Sequence, residues 1–576
     1  MDDAKKQVKT VFRELMETHH MPLFMLILIT VVLIAYLLTI QIRIGVPYWD
    51  VFNYLNNALF FAGMNGGGVT TYLPPLIPFL TSLIFRMGYV SIDSIFVVTG
   101  LVSIIGVVGL YLLLKERFNA IQSFTGSIIF ISLPVVISWV VSGGIDIPGV
   151  VFSIWTIYFM IVGLKRDSRF LYFVLPLFII SFLARFTAGL IILPVFLYFL
   201  MNLNDFKQIE DKKKIVTGII IELGVLGALT LIFFVKLGAT GSIYNLLFSI
   251  VTSSSGGTTD VAYNPNILYY LQNLLNYISV GPLMGTYQQI MNPSQGNPTI
   301  LSYIIGFIVL IGLSSYIGKG ITSRFKKTDE SSINFNNMVK ITIMIVLIIS
   351  LIISFYYSSF IFCEILLFAL LYISYRFLNN RTDQHHPPKL SFDFMFLAWF
   401  GSYLIFHGIL PFKVDRYFIT MAPALVYFII LGFSEFMNLI EPRIKSVKHT
   451  NFRTGVVYLI IALIFLSSAT ATYVGHTPKK TFTVDIGYSS DWIKEYDHDY
   501  QNKIISSDYP NAVSWHLKKE ILGGFPRFFN NQDDFAEFLQ KNGVDYYIDS
   551  TSTPHPDLKG YHIIKSFGVV AIYERV

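Results

Sequence analysis

The chain has 576 residues, 54% of them hydrophobic and only 14% charged, with a mean hydropathy of +0.59. Soluble domains carry roughly 25% charged residues, so this composition excludes a string of ordinary soluble domains. The net charge of +6 is scattered over short segments, which argues against nucleic acid as a partner, and the single cysteine, Cys363, excludes an internal disulfide or a thiolate metal cluster.

Apolar runs of the ~20 residues that cross a bilayer recur along the chain. The first follows Lys5, Lys6, Lys9 and Arg13 without a small-residue cleavage site, and reads as a retained signal anchor. Spans are predicted near 22–42, 93–114, 119–140, 147–164, 170–185, 187–201, 215–236, 298–317, 340–358, 360–378, 392–411, 417–437 and 454–474. With the N-terminus in the cytoplasm, the inner segments hold 25 Lys and Arg and the outer segments before residue 475 hold six; the tail holds the other 11 of 42. That asymmetry follows the positive-inside rule.

One run is ambiguous. Residues 73–88 would span only about 24 Å as a helix. If they crossed, Lys212, Lys213 and Lys214 would face outward. The segment is therefore read as a helix in or near the outer interface.

Three pieces are expected outside the spans: loop 43–92, loop 237–297, and a tail from 475 to 576. The tail reads as α/β. Strands are predicted at Lys503–Ser507 and Val544–Ile548, a helix at Asp533–Asn542 stopped by Gly543, and a hairpin over His562–Tyr573 turning at Ser566-Phe567-Gly568. The expected fold is an all-α polytopic bundle of about 13 transmembrane helices with outer juxtamembrane helices and a small C-terminal α/β soluble domain. Residues 1–474 would be the transmembrane catalytic domain and 475–576 an extracytoplasmic domain. The expected location is the plasma membrane, multi-pass, with a cytoplasmic N-terminus.

Few polar groups face outward in this topology. Asp50 follows Tyr48-Trp49 at the foot of an amphipathic stretch, and a carboxylate at a membrane surface in so apolar a chain is costly and points to function. Asp146 lies in Gly144-Ile145-Asp146-Ile147-Pro148, and Arg185 at the tip between two spans. Lys413, Asp415, Arg416 and Tyr417 share one short turn. Each has a plainer reading: a helix cap for Asp146, snorkelling anchors for Lys413 and Arg416, a tip residue for Arg185. Their coincidence at one membrane face carries the argument.

A carboxylate opposite guanidinium and ammonium groups suits transfer of a sugar from a lipid phosphate. Arg or Lys stabilises the charge that develops on the departing phosphate. The carboxylate takes the proton of an attacking hydroxyl. A phosphate leaves without acid assistance, so one base suffices.

The stretch Tyr48-Trp49-Asp50, Tyr54, Gly63, Tyr72-Leu73-Pro74-Pro75 and Phe85-Arg86-Met87-Gly88 resembles the first outer loop of GT-C glycosyltransferases. The resemblance is nearest to the dolichyl-phosphate-mannose protein mannosyltransferase and aminoarabinose transferase group. Gly144-Ile145-Asp146-Ile147-Pro148, Ala184-Arg185-Phe186-Thr187 and Asp415-Arg416-Tyr417 extend it, mainly over 40–205. It implies a catalytic acid at Asp50, a second-loop acid at Asp146, and donor-phosphate contacts at Arg185, with Lys413 and Arg416 beside them. Tyr54, Tyr72 and Tyr417 are candidate substrate contacts. Many members carry an acidic pair in the first loop; here the pair is Asp50-Val51, which weakens any carry-over of a second acid.

The implied partners are a polyprenyl-phosphate sugar, the lipid bilayer, and an acceptor that is protein, lipid or glycan. A divalent metal is possible but no residue set identifies one; Asp497-His498-Asp499 has the DxD shape yet reads as a solvated turn. Tyr244, Tyr263, Tyr269, Tyr270, Tyr277 and Tyr287 in loop 237–297 either cover the site or lie at the interface. Glu364, near the outer end of a span, has no assigned role. The competing readings are a transporter or flippase of lipid-linked sugars, against which the large outer loop and the outer globular tail argue, and a non-catalytic relative.

Overall fold

The computed structural model describes residues 20–64, 66–70, 73–236, 263–281, 291–326, 335–357, 359–379, 388–440, 450–474, 481–552 and 554–576. The helices that concern the site are, in chain order, α1 (His20–Ile44), α2 (Asp50–Ala62), α3 (Leu76–Arg86), α4 (Asp93–Lys115), α5 (Ala120–Ser132), α6 (Asp146–Lys165), α7 (Val174–Ala184), α8 (Ile192–Met201) and α9 (Lys212–Lys236). There follow α10 (Ile300–Lys326), α11 (Phe335–Tyr356), α12 (Phe360–Leu378), α13 (Pro388–Ile409), α14 (Ala422–Ile440) and α15 (Thr450–Val474).

Nine helices among the described residues are long and apolar enough to cross a membrane: α1, α4, α6 and α10 to α15, with α14 extended back to Asp415. The chain is thus an integral, multi-pass membrane protein. The other four predicted spans also fall on helix, at α5, at 168–184, at 186–201 and at α9. One of them is broken: Leu133 precedes Pro134 and turns extended, with φ −60° and ψ 134°, because proline disfavours helical geometry before it. Arg185, extended at φ −155°, is the junction between the helices of 168–184 and 186–201, as expected of a tip between two spans.

The segment 73–88 folds as α3, 11 residues long and therefore about 16 Å, too short to cross. It buries Ile77, Thr81 and Phe85 while Phe79 and Leu83 stay exposed, as an interfacial helix would. The preceding α2 is stopped by Gly63, whose φ of 75° lets the Met64 amide donate to the Leu59 carbonyl at 3.0 Å, a Schellman closure. At its other end α5 begins in a capping box: the Gln122 amide donates to Asn119 at 2.9 Å and the Asn119 amide to the Gln122 side chain at 3.1 Å.

The C-terminal sheet domain has five strands in the order β2-β1-β3-β5-β4: β1 (Ile505–Ser507), β2 (Leu522–Gly523), β3 (Tyr546–Asp549), β4 (Tyr561–Phe567) and β5 (Val570–Arg575). The first three pair in parallel, and β3, β5 and β4 pair antiparallel. Three helices accompany them: α16 (Thr483–Tyr496), α17 (Pro510–Leu517) and α18 (Gln532–Lys541). The predicted strands, the helix ending at Gly543 and the terminal hairpin are present; α16 and α17 were not anticipated.

This domain sits directly on α2 and α3. One continuous core joins Val51, Phe52, Leu55 and Phe85 to Ile486, Val513, Trp515 and Ile572. Phe85 and Trp515 lie 5.8 Å apart, ring centre to ring centre. The Asn56 side chain donates to the Asn511 carbonyl at 3.0 Å, and Thr481 and Thr483 donate to the carbonyls of Ile44 and Val46 at 3.0 and 3.1 Å. Apolar burial and these polar ties hold the sheet domain above the N-terminus of α2.

Candidate active site

Four charged side chains meet at one end of the helical bundle, and each sits where a helix begins or breaks. Asp50 is the first residue of α2 and Asp146 the first of α6. Arg185 occupies the extended junction after α7, and Arg416 lies in the 3-10 turn Asp415–Met421 that leads into α14. A helix N-terminus favours a carboxylate. The N-cap positions themselves are Trp49 and Ile145, neither of which makes a side-chain capping hydrogen bond.

They form two ion pairs of different character. Arg185 binds Asp146 through Nη1 with both side chains almost fully buried, at 6% and 3% exposure. Its Nε donates to Thr187 Oγ1 at 2.7 Å, and its guanidinium lies 5.3 Å from the Tyr417 ring. Gly149 permits this closeness, since a Cβ there would stand 2.7 Å from Arg185 Cβ. Arg416 reaches Asp50 more loosely, Nη2 to Oδ2 at 3.4 Å, with 20% and 31% exposure. The Arg416 guanidinium also stands over the rings of Tyr48, at 4.9 Å, and Trp139, at 5.5 Å. Asp146 keeps one oxygen and Arg416 its Nε buried without a hydrogen-bond partner, an unsatisfied arrangement that is costly unless a ligand completes it.

Asp50, Arg416, Tyr48 and Trp139 line a cleft of about 970 Å³ that the sheet domain also lines, at Asp508, Tyr509 and Phe525–Phe528. The volume is at the upper end for small-molecule sites. Trp49 packs edge-on against Tyr509 at 4.4 Å, which fixes the residue before Asp50 against the sheet domain.

Of the other sequence candidates among the described residues, Tyr417 alone lies beside these charged groups. Lys413 does not face the cleft. Its ammonium donates to the carbonyls of Gly408, at 2.9 Å, and Leu410. It thus satisfies the last carbonyls of α13, and burial lowers its pKa to about 8. Tyr54, one turn along α2 from Asp50, is enclosed in the core shared with the sheet domain. Tyr48, not Tyr54, is the tyrosine of this stretch that lines the cleft, with its ring 4.9 Å from the Arg416 guanidinium. Tyr417 stacks on His407 at 4.8 Å, between Arg185 and Arg416. Tyr72, Tyr244 and Tyr287 lie outside the described residues. Glu364 is buried with one carboxylate oxygen unpartnered.

Asp415, in the same turn as Arg416, is a fastener. It accepts from the hydroxyls of Tyr269, at 2.7 Å, and Tyr277, at 2.9 Å, and from the Ser294 amide at 2.7 Å. Tyr270 donates to the Val414 carbonyl at 3.2 Å. Three of the loop tyrosines thus hold the turn that presents Arg416. Asp497 and Asp499 are tied up locally: Asp497 accepts from the Asp499 amide at 2.8 Å and from Tyr546 at 3.0 Å. Among the described residues no cluster of three or more His, Cys, Asp or Glu could hold a metal ion. Sequence reasoning missed the sheet-domain wall of the cleft; its signal was the aromatic and cationic run Phe525-Pro526-Arg527-Phe528-Phe529.

Residues 73–233 match the family described as dolichyl-phosphate-mannose-protein mannosyltransferase. The fold resembles that of ArnT from Cupriavidus metallidurans, solved bound to undecaprenyl phosphate. The TM-score is 0.55 at 10% identity, over 96% of this chain and 98% of that one. The arabinofuranosyltransferase AftD from Mycobacteria is a looser likeness, with a TM-score of 0.42 at 11% identity over 95% of this chain and 40% of that one. No curated protein matches the sequence. The resemblance to GT-C glycosyltransferases therefore holds at two levels: the sequence pattern of 73–233 and the fold of nearly the whole chain.

Proposed function

We propose that this chain, with the architecture of GT-C membrane glycosyltransferases, moves a sugar from a polyprenyl-phosphate donor to an acceptor hydroxyl at the outer membrane face. The observation that carries this reading is the Asp50–Arg416 pair, open to a large cleft between the bundle and the sheet domain. A base and a phosphate-binding cation stand side by side where lipid chain, sugar and acceptor can meet.

The donor phosphate takes Arg416 away from Asp50. Its fork-shaped guanidinium suits a phosphate as well as a carboxylate. Asp50, released, accepts the proton of the acceptor hydroxyl. The new bond forms from the acceptor oxygen to the anomeric carbon as the bond to the phosphate oxygen breaks, and the electron pair leaves with polyprenyl phosphate. A single displacement of this kind inverts the anomeric centre. Asp146 clamps Arg185 and adds negative charge near Arg416, so its role is positioning. The sugar we propose is a hexose, mannose among them, a reading supported by the description of the family matched over 73–233.

The orientation follows from the charge asymmetry, with the N-terminus cytoplasmic and the sheet domain outside the plasma membrane. In a Cys363→Ser background, cysteine at Asp533 should react with an impermeant reagent from outside and cysteine at Lys213 should not. The activity is tested by supplying purified protein with a panel of synthetic polyprenyl-phosphate sugars and reading products by mass spectrometry. Transfer from at least one donor is expected. Transport of a lipid-linked sugar without any transfer would overturn the proposal.

A further inference from the structure

The sheet-domain wall of the cleft is built differently from its floor on the bundle side. The floor already has its cation, Arg416, paired with Asp50 and ringed by Tyr48 and Trp139. The sheet domain contributes a second one, Arg527, in the 3-10 turn Pro526–Phe528. Arg527 is exposed, and its guanidinium is held only by aromatic faces, 5.0 Å from Phe528 and 5.9 Å from Phe525. No carboxylate pairs with it among the described residues. Phe528 itself is 71% exposed.

The wall is also stiffened. Asp508 accepts hydrogen bonds from the amides of Ser550 and Thr551, at 2.9 and 2.8 Å, and from both their hydroxyls. This clasp fixes residues 550–552, and Thr551 and Ser552 line the cleft. Tyr509, next in sequence to Asp508, packs on Trp49 and so ties the wall to the residue before Asp50. Phe525 lies 6.0 Å from the same Trp49. Aromatic rings and an arginine from the sheet domain therefore line the same cleft as the Asp50 carboxylate.

We propose that the sheet domain carries the acceptor subsite, that Arg527 reads a negative charge on the acceptor, and that the acceptor is an anionic saccharide bearing a phosphate or carboxylate. This rests on the glycosyl-transfer reading above and names the substrate on its second side. Ring faces are partially negative and attract the polarised C–H faces of a sugar. A guanidinium beside aromatic rings, with no carboxylate partner, offers a planar fork of donors suited to bidentate capture of carboxylate or phosphate. A cation already serves the donor phosphate on the floor, so the one on the roof is available to the other substrate.

Binding can be read without turnover on the full chain in lipid nanodiscs, so loss of the transfer reading and loss of this one are separable results. The probes are a pentagalacturonate, a singly phosphorylated maltopentaose, neutral maltopentaose, and undecaprenyl phosphate. At least one anionic saccharide should bind about tenfold or more tighter than neutral maltopentaose. Arg527→Gln should abolish that difference and leave undecaprenyl phosphate binding unchanged, and Asp50→Asn should leave the difference in place. Equal binding of all three saccharides by the unaltered protein, or no binding of any, would overturn the proposal. So would an Arg527→Gln variant that loses undecaprenyl phosphate binding to the same extent, since Arg527 would then serve the donor.

Discussion

Arg416 lies 3.4 Å from the Asp50 carboxylate, and both side chains stay partly open to the cleft, whereas the Asp146–Arg185 pair a short way off is sealed. One pair can exchange partners with a ligand. The other holds the frame in which the exchange occurs.

The contrast between Arg416 and Lys413 follows. Arg416→Ala should weaken binding of undecaprenyl phosphate by roughly tenfold or more, and Arg416→Lys should recover only part, because an ammonium lacks the bidentate fork. Lys413→Met should leave that binding unchanged and lower thermal stability, since it strips the end of α13 of a donor. Equal losses of lipid-phosphate binding in Arg416→Ala and Lys413→Met would show that both cations serve the phosphate.

Removing one partner of the sealed pair leaves a buried charge. Arg185→Met and Asp146→Asn should each destabilise the protein, by about 3–5 kcal/mol for an arrangement of this burial. The double variant should recover part of the loss. Thermal unfolding in one detergent reads all three, and single variants as stable as the parent would show that the pair does not hold the frame.

Much of this was legible in the sequence. Every predicted span falls on helix, because a run of ~20 apolar residues leaves few alternatives in a bilayer. Asp50, Asp146, Arg185 and Arg416 were expected at one face because loop charges order the topology. The hairpin around Gly568 and the helix stopped at Gly543 carry local signals that act within a few residues. What was not legible depended on docking. Nothing near Tyr54 says that the sheet domain covers it, and nothing near Lys413 says that its ammonium turns back to Gly408 and Leu410. Arg527 enters the cleft only because Phe85 packs on Trp515 and Trp49 on Tyr509, contacts made across more than 400 residues of chain.

His516 should make this docking sensitive to acid. Its ring lies 6.1 Å from Phe52 of α2, its Nε2 is buried without a partner, and burial lowers its pKa to about 4. Asp491 opposes that shift, and Lys518 and Lys494 reinforce it. A folded-state value below the unfolded one means that the contribution is complete above pH ~6.5 and is lost as pH falls toward 4, up to on the order of 3 kcal/mol. The sheet domain of the parent should become sensitive to an acid-stable protease across that window. His516→Gln should be flatter across it, and parallel profiles for the two proteins would remove His516 as the cause.

The central claim is that Asp50 is the base for transfer from a lipid phosphate. The most direct test compares the parent and Asp50→Asn in transfer from one defined polyprenyl-phosphate sugar, with donor binding measured on the same preparations. Loss of a general base costs about 10²–10⁴-fold, so turnover in Asp50→Asn should fall at least about a hundredfold while it still binds the donor, and inserts and folds as the parent does. Turnover within a few fold of the parent would contradict the account.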